Sequence, residues 1–183
     1  MGAPEVESAR RAELLELLVE YSKTHGLSSM SLRPLAAAVG SSPRVLLYFF
    51  GSKDGLIREV HGRLRREQLE LVARSAHSGR GPVESVRVLW KWLANPANAD
   101  VERLFFECYA RSLRDPTGPW ARFGEAGVRE WLPHIARLLH GGSASPTLVL
   151  AALRGLLLDL LATGDRDRVQ RAFGELLLSI VDR

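Results

Sequence analysis

Residues Ser41 to Lys53 read "SSPRVLLYFFGSK". Ser42-Pro43 is a helix start, because a serine oxygen can accept from a first-turn N–H and proline at the first helical position gives up only an N–H that has no partner there. Three aromatics in a row follow, Tyr48, Phe49 and Phe50, and Gly51 ends the run. At roughly 100° per residue, Leu46, Phe49 and Phe50 fall on one side as i, i+3, i+4. Arg44 and Tyr48 make an i, i+4 pair on the other side, flanked by Val45 and Leu47. The phenylalanines are expected to pin a short helix to a core while Ser42, Arg44 and Tyr48 face outward. Such a face suits a major groove, where arginine donates twice to guanine and a tyrosine hydroxyl reaches a phosphate.

The residues before it support this. "SLRPLAAAVG" repeats the helical spacing at Leu32, Leu35, Ala36 and Val39, with Ser31 as a possible cap and Gly40 at the close. Ala36, Ala37 and Ala38 would let two helices cross closely. Helix, Gly-containing turn and second helix make the helix-turn-helix arrangement, in which the second helix reads DNA. Further upstream, Leu14, Leu17, Leu18 and Tyr21 form a first amphipathic stripe that Gly26 is placed to end. Downstream, Ser52 can cap a long fourth helix carrying Leu56, Ile57, Val60 and Leu64.

The remaining segments also read as helices, and the fold class expected is all-α. Val86, Leu89, Trp90 and Leu93 form one stripe; Val101, Leu104, Phe105, Cys108 and Tyr109 form another. A helix from near Pro119 carries Trp120, Phe123 and Trp131 and meets Pro133, where a kink is expected. Leu148 to Ala162 is apolar nearly all round, with Arg154 and Asp159 as exceptions, and reads as a buried helix rather than a membrane span. Val169, Phe173, Leu176, Leu177 and Ile180 close the pattern.

Composition sets the class. The 183 residues are 46% hydrophobic and 25% charged, which is globular usage, and the formal net charge is +4. Residues 1–60 carry seven Arg/Lys and seven Asp/Glu, so a DNA-reading module there would show only a modest salt dependence. The single cysteine, Cys108, points to a reducing compartment, and the acidic N-terminus lacks a secretory pattern, so a cytoplasmic protein with no membrane partner is expected. The five histidines, including His61 and His77, have no metal-ligand spacing, and no catalytic, phosphate-binding or metal motif is present. Neither an enzyme nor a cofactor is expected. Glu67 and Glu70, three apart, sit among arginines and read as an ion-pair face.

"MSLRPLAAAVGSSPRVLLYFFGSKDGL", preceded by "LLELLVEYSKTHG", resembles the N-terminal domain of the tetracycline-repressor (TetR-like) transcriptional regulators over about Arg10 to Val60. Members often carry valine where this chain has Ser41 and Lys-Gly where it has Pro43-Arg44; the family's common tyrosine falls at Leu47 and a frequent histidine at Phe49. The resemblance implies a helix-turn-helix DNA-binding domain over residues 8–52 and a ligand-binding, dimerisation domain over 53–183. It implies DNA contacts from Ser42, Pro43, Arg44, Leu47, Tyr48 and Lys53, and backbone contacts from Arg10, Arg11, Ser31 and Arg33. Lys53 opens a helix, where N–H groups and the helix dipole already favour phosphate.

Residues 81–140 hold eight aromatics, whereas residues 146–183 hold only Phe173. On the residues alone, pocket lining and plain core are equally good readings. The resemblance implies a pocket for a small-molecule effector, with Trp90, Phe105, Cys108, Tyr109, Trp120, Phe123, Trp131 and His134 as its candidates. It also implies a homodimer joined through the last two helices, with Leu150, Leu153, Leu157, Leu161, Phe173 and Leu177 at the interface. The function expected is a bacterial repressor, nucleoid-associated when bound and released from a palindromic double-stranded DNA operator by a small, largely apolar ligand. A repressor without an effector, or a ligand-binding protein without specific DNA binding, are the alternatives.

Overall fold

In the computed structural model, which describes residues 3–25, 27, 30–76, 81–140 and 142–180, the apolar stripes become helices. The order is α1 (Ala3–Thr24), α2 (Leu32–Ala38), α3 (Pro43–Phe50), α4 (Lys53–Ala76) and α5 (Pro82–Leu93), then a 3-10 turn at Pro96–Asn98. After it come α6 (Ala99–Arg114), α7 (Phe123–Leu138), α8 (Pro146–Thr163) and α9 (Arg166–Leu178). Among the described residues there is no strand. The fold is all-α, with an N-terminal helix-turn-helix. Gly26 and His77 lie outside the described residues.

Two apolar cores hold these helices. In the first, Leu14 and Leu18 of α1, Leu35 and Ala36 of α2, and Leu46 and Phe50 of α3 meet. Leu56, Ile57, Val60 and Leu64 of α4 belong to the same core, as do Val101, Leu104 and Cys108 of α6. In the second, Val72 near the far end of α4 joins Leu89 and Trp90 of α5, Trp131 and Ile135 of α7, Leu153 and Leu157 of α8, and Phe173 of α9. The division expected after residue 52 is therefore not a seam in the packing. The first core draws on both sides of it, and α4 runs through both cores.

Two local readings are corrected. Leu17 lies at the surface, and Val19 and Ser22 complete the buried side of α1 instead. The seventh helix starts at Phe123, not near Pro119: Thr117 donates to Asp115 Oδ1 in a tight turn, and Arg122 holds a left-handed φ of 63° at the helix cap. Trp120 packs into the first core from that turn. Past Pro133 the helix continues without interruption to Leu138.

Backbone conformation sets one glycine and close approach another. At Gly51, φ is +73°, which L side chains rarely adopt, and its N–H donates to Leu47 O at 2.8 Å to end α3. At Gly55, a Cβ would collide with the carbonyl oxygen of Phe50, so only glycine lets the first turn of α4 press against the end of α3.

Glu102 of α6 is buried, and its Oε1 accepts from Gln68 Nε2 of α4 at 2.9 Å. Burial raises its pKa from 4.5 to about 8, against the lowering effects of the Gln68 hydrogen bond and of Arg154. Between those values the folded chain keeps a proton that the unfolded chain releases, so this residue's contribution to stability falls as pH rises through that window. Glu102→Gln removes the titration and keeps the shape. Thermal melts are expected to show little change near pH 5 and a gain in Tm that grows towards pH 8–9. An equal shift at every pH would assign Glu102 a normal carboxyl pKa.

Candidate functional site

The turn between α2 and α3 is built from backbone hydrogen bonds. Gly40 N donates to Ala37 O at 3.2 Å and Ser41 N to Ala36 O at 2.8 Å, with Gly40 at φ +60°. Ser42 then caps α3, its Oγ accepting from Val45 N at 3.3 Å, and Pro43 occupies the first turn. Leu46 and Phe50 are buried beneath the helix, while Phe49 is only half-buried. The outward face presents Ser42, Arg44, Leu47 and Tyr48, with Tyr48 70% exposed. A broad open groove runs beside it, lined by Arg10, Gly40, Ser41, Arg44, Val45 and Tyr48.

The cations around this face differ in what they do. Arg33 and Arg44 are exposed, with no ion pair among the described residues. Arg10 pairs with Glu13 at 2.7 Å on its own helix, in water, where such a pair is weak. Arg11 is engaged elsewhere. Its guanidinium pairs with Glu59 of α4, donates to Phe49 O at 3.4 Å and lies 5.5 Å from the Phe50 ring centroid. It ties α1 to α3 and α4 instead of standing free for a phosphate. Ser31 is exposed at the cap of α2 without a capping hydrogen bond. Lys53 is the first residue of α4, where Ser52 Oγ accepts from Gly55 N at 2.9 Å. The Tyr48 hydroxyl donates to the Glu7 carboxylate of α1, which holds the phenol and raises its pKa. Sequence spacing gave no sign of that contact, because Glu7 lies 41 residues away.

The aromatic segment divides between core and cavity. A partly enclosed cavity of about 40 Å³ lies between α5, α6, α7 and α8. Of the eight expected pocket residues, Phe105 and Trp131 line it, together with Leu89, Leu93, Ile135 and Arg154. Trp90 stacks on Phe173 at 4.9 Å in the second core and donates to Gln170. Cys108 and Trp120 are buried in the first core, and burial pushes the Cys108 thiol up to about 12, an inert value. Phe123 packs edge-on to His61 at 4.8 Å, Tyr109 faces a different surface groove, and His134 is half-buried outside the cavity wall.

Arg154 and His61 are the residues that spacing did not single out. A lone arginine in an apolar helix read as an exception to be paired; here its guanidinium lies 5.2 Å from the Phe105 centroid and 5.5 Å from that of Tyr109. His61 on α4 stacks on Phe105 at 5.8 Å, and burial lowers its pKa to about 3, with Arg65 adding to the effect, so the ring is neutral.

The last helices present a different face from the one expected. Leu150, Leu153, Leu157, Phe173 and Leu177 are buried in the chain's own second core, and Leu161 packs half-buried against it. These positions have almost no surface to offer a partner. The outer face instead shows Leu148, Leu158 and Leu178 at 55%, 51% and 74% exposure, with small residues Ala151, Gly155 and Ala162 exposed on α8. α8 is long and apolar enough to cross a membrane by length and composition alone. Its inward residues Val149, Leu150, Leu153, Leu157 and Leu160 are nevertheless taken up by the protein core, and Asp159 accepts from both terminal guanidinium nitrogens of Arg168 at 2.6 and 2.7 Å. On α4, Glu67 pairs with Arg63 at 2.9 Å and Lys23 at 3.5 Å, the ion-pair face expected there.

Known proteins share this pattern. Residues 14–60 match the family model of the bacterial regulatory proteins of the tetR family. The HTH-type transcriptional regulator BetI of Stenotrophomonas maltophilia is 26% identical over 154 residues, covering 82% of this chain and 77% of that protein. Among solved structures, the multidrug binding protein EbrR, complexed with imidazole, superposes with a TM-score of 0.65 at 22% identity, covering 96% of this chain and 91% of that one. A TetR-family member from Streptomyces coelicolor gives 0.58 at 20% identity, over 95% and 99%. With a tetR-type helix-turn-helix segment over residues 14–60, a BetI-like relative along most of its length and this all-α fold, the chain resembles the TetR-like transcriptional regulators.

Proposed function

We propose that this regulator is a homodimeric repressor that binds a palindromic operator and leaves it when a small, largely apolar molecule enters the α5–α8 cavity. The observation that carries the reading is the course of α4. Its first half lies in the same core as the recognition helix α3, and its second half reaches the core that borders the cavity. Phe105 forms cavity wall on one side and stacks on His61 of α4 on the other. A ligand that moves Phe105 therefore moves α4, and with it the spacing of two recognition helices. Operator affinity then falls because the ligand favours one of two states.

Two-fold symmetry supplies the second recognition helix. Leu148, Leu158 and Leu178 form an apolar outer face on α8 and α9, and the exposed Ala151, Gly155 and Ala162 permit close approach of a symmetry-related α8. A four-helix interface of this kind would place two α3 helices on adjacent major grooves, about 34–36 Å apart. In this arrangement Arg44 reads bases, Arg33 and Lys53 meet phosphates, and the protein acts in a bacterial cytoplasm.

Selection of purified protein against random duplexes at moderate salt tests the reading. An enriched palindrome with half-sites one turn apart is expected; folded protein giving no enrichment above a salt-sensitive background overturns it. On the selected duplex, Arg44→Ala should cost about 1–3 kcal/mol and relax preference at one position per half-site, whereas Lys53→Ala should weaken all sequences and lower the salt slope by about one. Glu7→Gln is expected to tighten binding several-fold at low salt, since a carboxylate then no longer faces phosphate beside Tyr48; unchanged or weaker affinity would show that Glu7 is remote from DNA. Leu158→Glu should yield a folded monomer by sedimentation with little affinity for the palindrome. A dimer surviving that substitution would place the interface elsewhere.

A further inference from the structure

The polar group at the cavity is a cation without a counter-ion. Arg154 lines a wall otherwise made by apolar side chains, Phe105 and Trp131 among them. Its Nη2 is buried with no hydrogen-bond partner, and no carboxylate lies within ion-pair distance of the guanidinium among the described residues. The aromatic faces of Phe105 and Tyr109 hold it in place. Gly127 of α7 lies beside Nη2 and sets no side chain against it. The carboxyl that acts on Arg154 electrostatically is Glu102. That carboxyl is already bound by Gln68, and burial keeps it largely protonated at neutral pH. A half-buried arginine with an idle N–H beside an apolar space matches one chemistry, an organic anion whose apolar body enters the cavity.

We propose that the effector is a small amphipathic carboxylate, its carboxylate accepting from Arg154 Nη2 and its apolar body lying between Phe105 and Trp131. This rests on the ligand-responsive reading above and gives the ligand a charge sign. Hydrocarbon alone would leave the guanidinium unsatisfied, and a cationic ligand would meet repulsion from it. The ligand need not break an existing ion pair to bind, because Arg154 has none to give up.

The test compares octanoate, octanamide and octylamine, near-isosteres that differ in head-group charge, against the full-length protein with intrinsic tryptophan fluorescence, to which the cavity-lining Trp131 contributes, as readout. Octanoate is expected to give a saturable change with a Kd at least tenfold lower than that of octanamide, and octylamine none. Arg154→Met should remove the preference of octanoate over octanamide while keeping weak binding of both, and Arg154→Lys should keep the preference with reduced affinity. The proposal is overturned if octanamide or octylamine binds wild-type protein as well as octanoate, if octanoate gives no saturable change, or if the preference survives in Arg154→Met. The wild-type comparison decides the matter even where a variant fails to fold. Anisotropy on the selected operator, run in parallel, separates the two readings. Octanoate bound without release of DNA upholds the anion site and removes the coupling, whereas absence of operator binding in any condition removes the repressor reading and leaves the site intact.

Discussion

Everything in this chain hangs on one helix serving two cores. α4 buries Leu56, Ile57, Val60 and Leu64 against the helix-turn-helix and Val72 against the helices around the cavity. Each fully buried aliphatic side chain contributes about 1.5–3 kcal/mol, so the first half of α4 cannot tilt away from α3 without exposing several such groups. Gly55 tightens the joint by letting the first turn of α4 abut the Phe50 carbonyl, and Arg11 clasps both helices from α1. α3 is thus packed closely on the first half of α4. In the function proposed above, that close packing is the useful property, because displacement at one end of a stiff rod appears at the other.

Several buried polar groups lie along the same line. His61 of α4 stacks on Phe105, Arg154 of α8 lies over the same ring, and Glu102 of α6, bound by Gln68 of α4, acts on Arg154 electrostatically; at neutral pH only Arg154 among them is expected to carry charge. Burial makes charge costly unless paired, and His61 and Glu102 answer that cost by becoming neutral. Arginine cannot, since its pKa is too high for burial of this degree to remove the proton. Its compensation here is aromatic.

How much of this was legible in the sequence depended on the range of the interaction. The stretch from Ser42 to Gly51 was readable because its signals are local: a serine-proline cap, a 3.6-residue apolar period and a terminating glycine. The same holds for the four apolar residues of α4. Contacts across long separations left no such trace. Arg11 looked like a surface cation until folding set it against Glu59, and Tyr48 looked free until α1 brought Glu7 over it. The outer face of α8 was misread for a related reason. A helix apolar nearly all round does not say which side its own domain takes; Leu150, Leu153 and Leu157 went inward, while Leu148 and Leu158 stayed outside beside the small residues. Cys108 and Trp120 belonged to the reading module's core although they lie more than fifty residues beyond it in sequence.

That last placement bears on how this chain can be recombined with its relatives. The N-terminal core is closed by Val101, Leu104 and Cys108 from α6 and by Trp120 from the turn after it. A chimaera joined at the end of α3 would keep the reading surface but inherit a foreign floor beneath it, with new side chains where these four belong. If α3 reads DNA as proposed, specificity is exchanged by rewriting its exposed positions in place, or by moving α1–α4 together with the matching inner residues of α6 and Trp120, but not as a clean cassette of the first fifty residues.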